Sequence, residues 1–202
     1  MTPRIVKTLT LTLALTLIAS VAAAQVPIRI RGTIAQVSGR TLTLTTRDNS
    51  TVEVRLTETA GVVGVVKAAL TDIKPGVFVG TAALPQSDGS FKAQEVLIFP
   101  ESARGTGEGH YPWDLSARST MTNATVDNMV ERVEGPVLTL KYKDGVVKVT
   151  VPTDVPIVTF GPGDMAMLVP GAKVFIPGQQ QADGVVTAGR VLVGKDGLVP
   201  PM

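Results

Sequence analysis

The sequence predicts an all-β protein of two tandem small five-stranded β-barrels, OB-like in plan, joined by an irregular insert. Three observations carry that expectation. Short runs rich in Val, Thr and Ile alternate apolar with polar residues and are punctuated by 20 glycines and 14 prolines, a pattern that builds strands rather than long helices. The same plan occurs twice, with matched residues 95 to 97 positions apart. The chain has no cysteine, so packing rather than disulfides must hold it together.

Residues 1–24 read as a signal peptide. Arg4 and Lys7 open it, Leu9 to Val21 is mostly apolar, and Ala22-Ala23-Ala24 offers a small-residue cleavage site before Gln25. The apolar run is short for a bilayer crossing, which needs ~20 residues. No cysteine follows the cleavage site to take a lipid, and no later stretch of the mature chain is long and apolar enough to span a membrane. The expected location is therefore the periplasm, with cleavage after Ala24. Loss of Arg4 and Lys7 takes the 19 basic residues to 17, against 17 acidic ones. A near-neutral chain without basic clusters is a poor match for nucleic acid.

The first repeat, 25–99, opens with strand-like runs at 28–37, 41–46 and 51–57. In the second run Leu42 and Leu44 share one face and Thr41, Thr43 and Thr45 the other. Val52, Val54 and Leu56 continue the alternation after a turn at Arg47-Asp48-Asn49-Ser50. An irregular or briefly helical crossing at 58–74 leads to strands at 77–83 and 91–99. The second repeat, 121–197, restates this before a short tail, 198–202. Gly39, Leu42, Leu44 and Asp48 match Gly135, Leu138, Leu140 and Asp144, and Pro75-Gly76 matches Pro170-Gly171. Val77-Phe78-Val79 aligns with Val174-Phe175-Ile176, and Asp88-Gly89 with Asp183-Gly184. In the second crossing, 153–169, Asp164 can cap a helical turn from Met165 to Val169 that Pro170-Gly171 stops. Five strands per repeat is the count of a small Greek-key barrel, and a barrel of ~65 residues is marginal alone, so the two are expected to pack together.

The stretch from Gly32-Thr33-Ile34 through the threonine-rich 41–46 strand, the Pro75-Gly76-Val77 step and the closing Asp88-Gly89 hairpin resembles an exported bacterial family, "domain of unknown function 5666". Both repeats fit, over about 130 residues, although Asn128-Met129-Val130 replaces the Gly32-Thr33-Ile34 opening in the second. The resemblance implies an exported barrel-like module and carries over no catalytic residue.

The insert, 100–120, does not repeat. Its glycines and Pro112 argue against a regular element, and it holds the chain's single histidine and single tryptophan. His110, Tyr111, Trp113 and Asp114, with Arg104 and Glu108 as outer partners, are the candidate ligand-binding residues, since structured loops on rigid scaffolds are where binding groups gather. In the plainer alternative Tyr111 and Trp113 plug the seam between the barrels.

The function expected is an exported binding or structural module, not an enzyme, that needs no cofactor. Its partner is an envelope protein or a small ligand near the insert. Two other chemistries compete. His110 with the thioethers of Met121, Met165 and Met167 suits copper or another transition metal, although structural zinc wants more Cys and His than the chain has. A hydrolase would draw on His110, Asp114 and Ser116 or Ser119, without the strand-turn-helix setting that exposes a nucleophilic serine.

Overall fold

The computed structural model describes residues 26–200, so the expected leader lies outside the described residues. The strands are β1 (Val26–Ser38), β2 (Thr41–Thr46), β3 (Thr51–Lys67), β4 (Phe78–Pro85), β5 (Phe91–Ile98), β6 (Gly109–Pro112), β7 (Thr120–Val130), β8 (Val137–Tyr142), β9 (Gly145–Thr150), β10 (Ile157–Gly161), β11 (Lys173–Gln180) and β12 (Val186–Gly194). Among the described residues helix is confined to single 3-10 turns, and none of these is long and apolar enough to cross a membrane. The protein is all-β, as expected.

The alternation read from the sequence is the alternation that folds. Leu42 and Leu44 on β2 and their counterparts Leu138 and Leu140 on β8 are all fully buried. The turn after β2 reverses through Asn49, whose φ of 63° lies in the left-handed region that Asn tolerates. Asp48 fastens it by accepting hydrogen bonds from the Ser50 hydroxyl, at 3.1 Å, and from Thr46. The predicted turn after Asp164 is present as Met165–Met167, and the Asp164 carboxylate accepts from the Ala166 N–H at 2.9 Å.

Two crossings differ from expectation. β3 does not stop near Thr57 but runs on to Lys67, and β10 occupies the matching part of the second crossing. The apolar run Val62–Val66 gains strand partners on both sides, β12 and β10, which local reading does not reveal. Gly64 permits the approach, because a Cβ there would meet the Pro162 carbonyl oxygen at 2.5 Å. In the second repeat the same strand is broken into β9 and β10 around Pro152 and Pro156, which have no N–H for a ladder.

Five strands close into a barrel in the order β12-β11-β1-β2-β3, sealed by parallel pairing of β12 with β3 from Val186↔Val54 to Gly194↔Val65. Its interior holds Ile34, Leu42, Leu44, Val54, Ile176 and Val191. The remaining ladder runs β5-β4-β7-β8-β9, with a short parallel contact of β5 on β9 at Phe91↔Val149 and Lys92↔Thr150. Leu138, Leu140, Val79, Val96 and Val126 pack inside it.

The strands are shared in a way the tandem reading did not anticipate. The closed barrel takes β1, β2 and β3 from the first repeat and the β11–β12 hairpin from the second, while the first repeat's β4–β5 hairpin pairs with β7 of the second. The exchange is reciprocal down to single hydrogen bonds. At the β1 bulge the Ile34 N–H donates to Ala172 O (2.9 Å) and Ile34 O accepts from the Gly171 N–H (2.8 Å). At the β7 bulge Val126 makes the same two bonds with Val77 and Gly76, both 2.8 Å.

These registers also correct the repeat alignment. Ile34 faces Leu44 and Val126 faces Leu140, so Gly32-Thr33-Ile34 corresponds to Ala124-Thr125-Val126, not to Asn128-Met129-Val130. The extra residues lie in the longer turn between β7 and β8. In the closing hairpins Val79 faces Ile98 as Val174 faces Val193, so Phe175 corresponds to Gly80 rather than to Phe78.

A third apolar cluster, with Val65, Leu97, Phe99, Val158, Phe175 and Leu192, fills the seam where β3, β10 and the two exchanged hairpins meet.

Candidate functional site

The insert is stitched to the β7 side of the seam. A 3-10 turn at Glu101–Ala103 leads into Arg104, whose Nη2 donates to Gly76 O (2.8 Å) and to the Glu101 carboxylate (2.7 Å). Glu108 accepts from the Lys143 N–H at 3.0 Å. Between these pins Gly109–Pro112 forms β6, antiparallel to β7 with His110 opposite Thr122 and Tyr111 opposite Met121. The composition of the insert argues against a regular element here. Pairing with the next strand, β7, overrides that local preference, and Pro112, which cannot donate, falls at the strand's last position.

Alternation along β6 separates the candidate residues. Tyr111 and Trp113 turn toward the seam, where their rings lie 6.1 Å apart. His110 turns away: its Nδ1 is 2.8 Å from the Thr122 hydroxyl, and its ring meets Phe91 edge-on at 4.9 Å and stacks over Tyr142 at 6.3 Å. Burial among these rings lowers the His110 pKa from its ordinary value.

Trp113 packs in the seam cluster with the Arg29 guanidinium 4.1 Å above its ring and Arg31 at 5.8 Å. Asp114 pairs with the same two arginines, at 2.8 Å to Arg31 and 3.8 Å to Arg29. Burial raises the Asp114 pKa, but the Arg31 hydrogen bond and the two positive charges together hold it below the usual carboxylate range. The Tyr111 phenol moves upward, because burial outweighs the opposing charge of Arg29. Thus β1, in the closed barrel, clamps the connector that runs from β5 to β7 in the other strand group.

Beneath Tyr111 and Trp113 lies a cavity of about 300 Å³, at the lower end of the range of small-molecule sites. Leu97, Phe99, Met121, Phe160, Phe175 and Leu192 form its apolar wall. Glu95 and Arg190, which hold the same position in the two repeats, bring opposite charges to it; Glu95 is buried and Arg190 exposed.

Two residues of this wall each carry a buried polar atom without a protein partner. Asn123 is 7% exposed, and its Nδ2 donates to Thr106 O (3.0 Å) and Tyr111 Oη (3.3 Å), yet its Oδ1 accepts nothing. The Trp113 Nε1–H is likewise buried and unmet. Gly80 makes room for the carboxamide, since a Cβ there would sit 2.6 Å from Asn123 Oδ1 and 3.0 Å from the Phe99 ring.

Of the sequence-predicted ligand residues, Tyr111 and Trp113 line this cavity; His110, Asp114, Arg104 and Glu108 hold the insert around it. The metal set is dispersed. Met121 is on the cavity wall, Met167 packs on the barrel core, Met165 is exposed and His110 sits among Thr122, Phe91 and Tyr142. Among the described residues no group of three or more His, Asp or Glu side chains gathers as a metal would need. The hydrolase set is also bonded elsewhere: Ser116 donates to Gln94 Oε1 (2.9 Å), and the Ser119 hydroxyl lies 2.9 Å from the carbonyls of Trp113 and Ser116.

Sequence reasoning missed Asn123, Glu95, Gly80, Arg29 and Arg31. The one available signal was a polar residue on the apolar side of a strand, as Glu95 is between Ala93 and Leu97. Comparison with models of known families, with curated proteins and with solved structures finds no match for this chain.

Proposed function

We propose that this chain is an exported periplasmic binding module, of the kind its resemblance to the exported barrel family implies, freed of its leader after Ala24. In this reading it is no enzyme, and it holds a small ligand in the seam cavity beneath the insert. The observation that carries the reading is the pair Trp113 Nε1–H and Asn123 Oδ1, two buried atoms without partners on residues that line one cavity. Leaving a buried polar atom unsatisfied costs about 1–3 kcal/mol, and folded proteins rarely tolerate it. An occupant that bonds both removes the cost.

The scaffold proposed with it is two five-stranded barrels that exchange their closing hairpins. Support comes from β5, which pairs with β10 from Ile157↔Val96 onward at the positions where β12 pairs with β3 from Val62↔Val191 onward. The site then lies between barrels and is covered by the one segment that is not duplicated.

Native mass spectrometry of the protein released from the periplasm tests this. A bound organic mass is expected, retained in His110→Ala and reduced in Trp113→Phe. Copper or zinc bound in a His110-dependent way would favour the metal-handling alternative instead, and turnover of ester substrates abolished at Ser116 or Ser119 would favour a hydrolase.

A further inference from the structure

The lining of the seam cavity specifies more than the presence of an occupant; it also narrows the occupant's chemical class. Resting on the proposal that this cavity is a binding site, we infer that it is built for a small neutral aromatic molecule carrying a hydrogen-bond acceptor and a donor, as an aromatic carboxamide does. Three features of the wall select that class.

The first is size. A void of about 150 Å³ lined by apolar side chains takes a benzene, so a cavity of about 300 Å³ accommodates one ring with a polar substituent, or two fused rings. The second is the lining. Phe99, Phe160, Phe175 and Trp113 are four of its lining residues, and Phe99 already meets Phe160 edge-on at 5.8 Å. Aromatic guests gain from offset and edge contacts of this kind.

The third is polarity. The tryptophan offers a donor and nothing else, and the free oxygen of Asn123 offers an acceptor and nothing else. A ligand that only accepts or only donates leaves one of them unmet. The charges discriminate as well: an anion would face Glu95 and a cation Arg190, both on the wall, so neither sign gains from the lining as a whole. A neutral ligand with one acceptor and one donor satisfies the site without bringing an unpaired charge into it. On the outer face of Trp113 the guanidinium of Arg29, 4.1 Å from the ring, draws on the indole π system and makes its N–H a stronger donor.

The chain's single tryptophan gives the experiment one indole N–H resonance to watch. Benzamide, toluene, benzoate and benzylamine are titrated into the full mature protein while that signal and the Met121 methyl resonance are followed. Benzamide is expected to bind saturably and to move the indole proton downfield. Toluene should shift the Met121 methyl at least tenfold more weakly and leave the indole proton in place, and the two ions should bind at least tenfold more weakly than benzamide. Trp113→Phe, with its fold checked by the methyl spectrum, should weaken benzamide at least tenfold and toluene less than twofold.

Equal binding of toluene and benzamide, or tighter binding of either ion, overturns the class. If benzamide fails while the periplasmic protein carries a charged or much larger bound mass, the class falls and the binding reading stands. If no probe binds, no mass is carried, and water exchanges freely with the indole N–H, both fall and the cavity holds only water.

Discussion

Val65 on β3 pairs in antiparallel register with Phe160 on β10, and Phe160 is the residue that occupies Val65's own position in the second repeat. An antiparallel pairing of a residue with its counterpart places a local two-fold relation at that point. The neighbouring pair Gly64↔Gly161 and the reciprocal bonds of Ile34 and Val126 obey the same relation. The seam cavity lies beside Phe160, so counterpart positions such as Glu95 and Arg190 meet around one space.

Shared strands should make unfolding a single event. Leu42→Ala and Leu138→Ala, at matched fully buried positions, are each expected to cost about 2–5 kcal/mol. In urea, Trp113 fluorescence and far-ultraviolet circular dichroism should give coincident transitions for both variants. Separate transitions would mean that the two strand groups fold independently.

The hairpin exchange can be locked covalently. The Ile34 N–H donates to Ala172 O across the ladder, so the adjacent Thr33↔Lys173 pair is of the non-hydrogen-bonded kind, with Cα atoms about 4.5 Å apart in such pairs. That spacing suits a disulfide. Thr33→Cys with Lys173→Cys should cross-link on mild oxidation and raise stability by up to about 4–5 kcal/mol, given the long loop closed. Thr33→Cys with Phe78→Cys, the pairing of a repeat closed on itself, should leave both thiols free.

Gly80→Ala should be costly although it adds one methyl group. The new Cβ would lie 2.6 Å from Asn123 Oδ1 and 3.0 Å from the Phe99 ring, an overpacking expected to cost about 1–3 kcal/mol. Displacement of the carboxamide should also shift the Tyr111 side-chain resonances, because Asn123 donates to that phenol.

His110 should make stability depend on pH in a defined window. Burial lowers its pKa in the fold, so the folded state favours the neutral ring. Its contribution is complete above the unfolded value, near 6.5, and is lost as pH falls from there through the lower folded value. The melting temperature should therefore drop as pH falls below about 6.5, and the drop should be smaller in His110→Asn. Asp114, also held low, acts the same way in a more acidic window, below about 3.9, where Asp114→Asn should flatten the profile.

Much of the local structure was legible in the residues themselves. The bounds of β2 and the turn after Asp164 are where the sequence put them, because threonine alternating with leucine and an aspartate before a helical turn act over a few positions. The long β3 was not legible, since it depends on partner strands distant in the chain, and β6 was not, since its glycines and Pro112 hide a hairpin that forms only against β7.

The amino-acid sequence by itself determined the strand faces, the duplication and the single unduplicated connector, all of which arise from period-two patterning and turn chemistry within short windows. Only the tertiary structure decided which closing hairpin joins which strand group, and so which residues share a cavity. The two hairpins present similar apolar faces and similar registers to β1 and β7, so local pattern accepts either pairing. The folded chain takes one, with β11 on β1 and β4 on β7. That selection sets Phe175, Arg190 and Leu192 on one cavity wall with Trp113 and Asn123, a juxtaposition that no window of sequence contains.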